Sequence, residues 1–144
     1  MSHYKKILLA VDFSDASNHV IGKASELAEE CDATVDLVHV VEYYQHEFNV
    51  DVYLPDLNIE NELLQQARDK LHKVAEDMGI PGTKKWLETG SPKSEIVRVA
   101  TEQECDLIIV GSHGRHGLGL LMGSTANGVL HHAPCDVLAV RVPE

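Results

Sequence analysis

The residues best placed to do chemistry lie in a glycine-rich stretch, Leu107-Ile-Ile-Val-Gly-Ser-His-Gly-Arg-His-Gly-Leu-Gly-Leu-Leu-Met-Gly-Ser-Thr. An apolar run from Leu107 to Val110 reads as a buried strand that stops at Gly111. Gly111, Gly114, Gly117, Gly119 and Gly123 then open a loop, and Ser124 and Thr125 stand where a helix begins. Strand, glycine loop and helix start form the arrangement in which backbone N–H groups converge on an anion such as a phosphate. Arg115 lies inside that loop and can neutralise phosphate charge or face water. The loop is not GxxxxGK[ST], because no lysine precedes Ser124, and GxGxxG does not follow the first strand. The glycines are equally compatible with tight turns, so the pattern alone leaves open whether an anion is bound.

The elements that would hold this loop alternate along the chain. Ile7 to Val11 is a short apolar strand, followed by a helix from Ser14, as N-cap, to about Glu30. Val20, Ala24, Leu27, Ala28 and Cys31 form its inner face. Thr34 to Val41 is a second strand, with Asp36 near its outer end. The segment from Glu42 to about Asn58 mixes Tyr43, Tyr44, Phe48 and Tyr53 with acidic residues, and reads as a solvated excursion or as a lid or partner surface. A helix from Ile59 to Met78 carries the stripe Leu63, Leu64, Ala67, Leu71, Val74, Ala75 and Met78 and ends at Gly79. Thr83 to Thr89 is a charged edge strand. Ser91 and Pro92 start a helix whose buried side is Ile96, Val97 and Ala100. Asp106 to Val110, a helix from Ser124 to His131, and Asp136 to Val142 complete the order. Five strands and four helices in alternation predict one α/β domain over residues 1–144. Its core is a single open, doubly wound parallel sheet in the order 3-2-1-4-5, Rossmann-like.

In such a sheet ligands collect beyond the carboxyl ends of the strands, where the chain order reverses. That places Asp12 opposite the Gly111 loop, with Val38 to Val40 close by. The backbone near Val40 can read an adenine edge, and Asp12 can bind ribose or help hold a divalent ion. Gly114, Gly123, Ser124 and Thr125 can donate to phosphates.

Composition narrows the partners. With 44% hydrophobic but only 5% aromatic residues, the core must be aliphatic. A net charge of −11 with no basic block to offset it argues against nucleic acid or anionic membrane. Cys31, Cys105 and Cys135 are odd in number and far apart, which predicts buried thiols in a reducing compartment. Residues 1–5 read as no signal peptide and no apolar run reaches spanning length, so the expected location is the cytoplasm. His113, His116, His131 and His132 read as a surface cluster rather than a metal site, and His39 as a packed strand residue rather than a base. Ser112 and Ser124 have no His–Asp partner at local spacing, which leaves nucleophilic catalysis unsupported.

The chain resembles the universal stress protein family over essentially its whole length. The resemblance rests on Tyr4-Lys-Lys-Ile-Leu-Leu-Ala-Val-Asp-Phe-Ser, Val35-Asp-Leu-Val-His-Val, Gly90-Ser-Pro, Asp106-Leu-Ile-Ile-Val-Gly-Ser-His-Gly-Arg, Gly123-Ser-Thr and Pro134-Cys-Asp-Val-Leu-Ala-Val. It implies a cytoplasmic homodimer joined through the fifth strands. It further implies a stress-response regulator that binds ATP or AMP, with Mg accompanying ATP and at most slow hydrolysis. The implied contacts are Val11, Asp12, Val40, Gly111, Gly114, Gly123 and Ser124. ATP-binding members resemble glycine, two residues, glycine, nine residues, then glycine followed by Ser or Thr. Here eight residues, Arg115 to Met122, separate Gly114 from Gly123. The alternative reading is therefore a dimeric stress-response interaction protein that binds no nucleotide.

Overall fold

The structure, a computed structural model, describes residues 4–42, 57–112 and 123–142. The elements run β1 (Lys6–Ala10), α1 (Ser17–Cys31), β2 (Thr34–Val41), α2 (Leu57–Met78), β3 (Lys85–Thr89), α3 (Pro92–Glu102), β4 (Leu107–Ser112), α4 (Ser124–His132) and β5 (Asp136–Arg141). All strand pairs are parallel, and the sheet order is β3-β2-β1-β4-β5, as expected.

The period of two along each strand builds two cores from one sheet. Ile7 and Leu9 of β1, Val35 and Leu37 of β2, and Leu107 and Ile109 of β4 face α1 and α2, where Val20, Ala24, Ala28 and Leu71 cover them. The intervening Leu8, Val38, Val40, Ile108 and Val110 face α3 and α4, meeting Ile96, Val99, Ala100, Ala126 and Val129. Ile7 to Ala10 of β1 and Leu107 to Val110 of β4 are apolar throughout because both faces of these strands are covered. At the edge, β5 is less covered, with Asp136, Leu138 and Arg141 exposed, Val137 and Ala139 half-buried and Val140 buried. Helices α3 and α4 approach closely at Gly128, where an added Cβ would lie 2.5 Å from the Lys93 side chain. Gly90, at φ 128°, makes the turn into α3 and donates its N–H to the Val41 carbonyl, in a conformation that side chains avoid.

Several boundaries differ from the sequence reading, each for a physical reason. Helix α1 starts at Ser17 with Ala16 in the cap position, because the Ser14 hydroxyl bonds to Asp12 instead of capping. Asp15 is therefore outside the helix. Ser91 does occupy the cap position of α3, with Pro92 following, but its side chain makes no cap bond. The inner face of α3 is Ile96, Val99 and Ala100, with Val97 only half-buried. Leu63 is exposed rather than part of the α2 stripe. Asp36 is not at an outer end: it is 2% exposed, accepts a 3.4 Å bond from the Lys84 N–H, and lies 3.9 Å from the Lys6 ammonium. Finally, β4 does not stop at Gly111. Gly111 pairs with Val140 and Ser112 with Arg141, so both belong to the sheet.

Candidate functional site

The site originates in unequal strand lengths. β1 ends at Ala10, level with Val38 of β2, while β2 continues to Val41 and β4 to Ser112. The central strand is thus the shortest at this edge, and its flanking strands leave a notch where the sheet reverses direction. A part-open pocket lies there, lined by Ala10, Val11, Asp12, Ser17, Val20, Ile21 and Gly111. Its floor is the end of the sheet and one wall is the first turns of α1. Gly111 shares the sheet face of Leu107 and Ile109, so its missing side chain leaves space on the side of α1.

The loop that crosses the notch is held locally and from behind. Asp12 Oδ1 accepts the Ser14 N–H at 3.0 Å and the Ser14 hydroxyl at 2.8 Å, closing a turn around Phe13. Phe13 has φ 59°, a left-handed conformation that costs a side-chain-bearing residue about 1–2 kcal/mol. Its ring centroid lies 4.2 Å from that of His39, and the Lys70 ammonium of α2 stands 5.7 Å above the ring. His39 Nδ1 lies 2.6 Å from the Val11 carbonyl. A carbonyl only accepts, so Nδ1 carries the proton. Burial pushes the pKa of His39 down, with Lys70 acting in the same sense, against the opposing pull of the Val11 carbonyl and Asp12.

Val40 contributes backbone, not side chain: its side chain packs in the core on the α3 side. Backbone groups of successive residues in a parallel strand point to opposite neighbours. Val38 accepts from Val11 on the β1 side, and Val41 accepts from Gly90 on the other. Val40 therefore turns its N–H and carbonyl toward the β1 side, beyond the end of β1.

Helix α4 adds a second set of donors. It packs on β4 and β5 and ends at His132, shortly before β5 begins, so its amino end lies toward the carboxyl edge of the sheet. Gly123 is its N-cap, and Ser124 and Thr125 are its first two helical residues, with Ser124 exposed. First-turn N–H groups have no partner within their own helix and suit an anion. Gly114 and Arg115, together with His113 and His116, lie outside the described residues, as does the 43–56 excursion.

Other candidates are not brought into the notch. His131 and His132 are exposed at the far end of α4, and among the described residues no three His, Cys, Asp or Glu side chains are grouped to hold a metal ion. Cys31 and Cys105 are buried free thiols and Cys135 is half-buried. Burial pushes the Cys105 thiol up to about 11, which keeps it protonated and unreactive. Among the described residues no helix is long and apolar enough to cross a membrane. Sequence reasoning missed Ser17 and Ile21 as lining residues and the contact between His39 and Phe13. The odd-numbered parity of His39 with Val35 and Leu37 was the available signal for its facing α1 and α2.

Comparison with known proteins places the chain in a family. The sequence profile of the universal stress protein family matches residues 3–141. Universal stress protein A homolog 1 of Coxiella burnetii is 40% identical over 146 residues, covering 99% of each chain. The solved universal stress protein UspA from Lactobacillus plantarum aligns with a TM-score of 0.75 at 27% identity, over 99% of this chain and 100% of its own. A universal stress protein solved in complex with cAMP shares the fold, with a TM-score of 0.65 at 24% identity over 96% of this chain and 97% of its own. With the family match spanning nearly all of the sequence, this chain belongs to the universal stress protein family.

Proposed function

We propose that this chain is a regulator that binds an adenine nucleotide, ATP or AMP, in the notch at the carboxyl ends of β1, β2 and β4. The observation that carries the reading is the pocket in which Val11, Asp12 and Gly111 meet beside α1. The donor set suits such a ligand. Val40 offers one N–H and one carbonyl, the pair an adenine edge needs. Asp12 offers a carboxylate for ribose hydroxyls or a Mg ion, and Gly123, Ser124 and Thr125 offer the amino end of α4 to phosphates. Gly114 and Arg115 would complete the cradle. His39 packs against Phe13 and is not among the residues that line the pocket, which favours binding with at most slow hydrolysis.

The proposed setting is a single domain in the cytoplasm acting as a homodimer. The support for dimerisation is β5, an edge strand that leaves Leu138 39% exposed. Calorimetric titration with Mg-ATP, AMP and cAMP tests the ligand, alongside the Gly111→Val variant. Valine suits a strand but would fill the notch from its floor, so the variant should fold and lose binding. Absence of binding to the wild-type protein at millimolar nucleotide would instead favour the reading as a dimeric interaction protein without a nucleotide.

A further inference from the structure

We propose that His39 is a positioning residue for the β1–α1 loop: by donating from Nδ1 to the Val11 carbonyl and backing the Phe13 ring, it fixes the Asp12 carboxylate at the mouth of the notch. The consequence for ligand affinity rests on the nucleotide reading, whereas the positioning itself does not. Asp12 sits between the two residues that His39 touches, and neither contact is local in sequence. The Val11 carbonyl is held across 28 positions at 2.6 Å. Phe13, at φ 59°, would relax toward an ordinary conformation unless its ring were retained, and the ring packs against the core on the α1 side, against the His39 imidazole at 4.2 Å between centroids and, 5.7 Å away, the Lys70 ammonium. The turn closed by Ser14 shapes the loop but does not fasten it to the sheet. On the sheet side, fastening comes from the Val11 N–H to the Val38 carbonyl, at 2.9 Å, and from His39. Residue type matters here, because a ring with a donor at the δ position serves both contacts at once.

Two variants separate the two contacts. His39→Phe keeps a ring behind Phe13 and removes the donor, while His39→Asn keeps a donor near the position of Nδ1 and removes the ring. In ligand-free protein, amide hydrogen exchange at Val11 and Ser14 should quicken about tenfold in His39→Phe relative to the amides of β4, as expected for losing one partly buried hydrogen bond. Val11 should stay closer to wild type in His39→Asn. Mg-ATP affinity should weaken in the same order. Unchanged exchange at Val11 and Ser14 in His39→Phe, or uniform quickening across the sheet, would overturn the proposal. Nitrogen-15 correlation spectra of the wild-type protein give a reading that needs no variant: a proton on Nδ1 supports the proposal, and a bare Nδ1 overturns it. If wild-type protein binds no Mg-ATP, the nucleotide reading falls, while exchange and tautomer still decide the role of His39.

Discussion

The two ends of the parallel sheet carry an aspartate each, used in opposite ways. At the amino edge, Asp106 stands just before β4, and its carboxylate accepts the N–H of Lys5 at 2.9 Å and of Lys6 at 3.1 Å. Its own N–H donates to the Lys6 carbonyl, and Thr34 donates to the Lys5 carbonyl from the other side. The start of β1 is thereby stitched to both neighbours, and Tyr4 adds a 2.9 Å bond to Asp136 of β5. At the carboxyl edge, the Asp12 carboxylate accepts from the Ser14 N–H and hydroxyl, two residues away in the same loop. The same side chain closes one edge and lines a pocket at the other. What differs is strand length: β1 starts flush with its neighbours and stops short of them.

Replacing Asp106 by alanine should therefore have the largest effect on stability. Two backbone donors would lose a charged acceptor at a half-buried position, a cost of about 2–3 kcal/mol. Urea unfolding should show a lower midpoint with little change in slope. Nucleotide affinity of the folded protein should hold, since the loss is at the opposite edge. A variant that unfolds normally but binds nucleotide poorly would erase the division between the edges.

Asp12→Asn tests the other edge and should do the reverse. The asparagine Oδ1 still accepts from Ser14, so the turn survives and stability should move by less than about 0.5 kcal/mol. Affinity for Mg-ATP should fall about tenfold, equivalent to about 1.4 kcal/mol. The contrast between ligands sharpens the role. A larger loss for Mg-ATP than for AMP assigns the carboxylate to the metal ion, and equal losses assign it to ribose.

The scaffold was legible because it depends on periodicity. Thr34 to Val41 emerges as a strand with its observed limits, and the meeting of Asp12 with Gly111 follows from topology alone. What escaped depends on register and competition. Ser14 is as good a helix cap as it is a turn residue, and only the nearness of the Asp12 carboxylate decides between them. The burial of Asp36 depends on Leu8 standing opposite it and on the Lys84 amide arriving from β3, which no local pattern encodes. Whether β4 ends at Val110 or Ser112 depends on how far β5 continues beside it. The notch is the difference between strand ends, so the topology that points to it does not describe its shape.

The contrast between edges also has a pH signature, smaller than either substitution. His39 has its pKa lowered chiefly by burial, with Lys70 adding to the effect and with Val11 and Asp12 opposing it. In the unfolded chain the same imidazole titrates near ~6.5. A folded pKa below the unfolded one means that the unfolded chain binds the proton first as pH falls. The contribution of neutral His39 is therefore fully present above about pH 6.5 and is lost as pH drops from there toward the folded pKa, at no more than about 1.4 kcal/mol per pH unit. The sensitivity belongs to the carboxyl edge, because the imidazole contacts Val11 and Phe13. Carboxylates elsewhere also respond to acid, so the useful quantity is a difference. Between pH 7 and 5 the wild-type protein should lose more stability than His39→Phe does. An NMR titration of the His39 ring should show a midpoint below 6.5. A midpoint above that value would mean that the Val11 carbonyl and Asp12 outweigh burial, and that acid tightens the loop over the notch instead of loosening it.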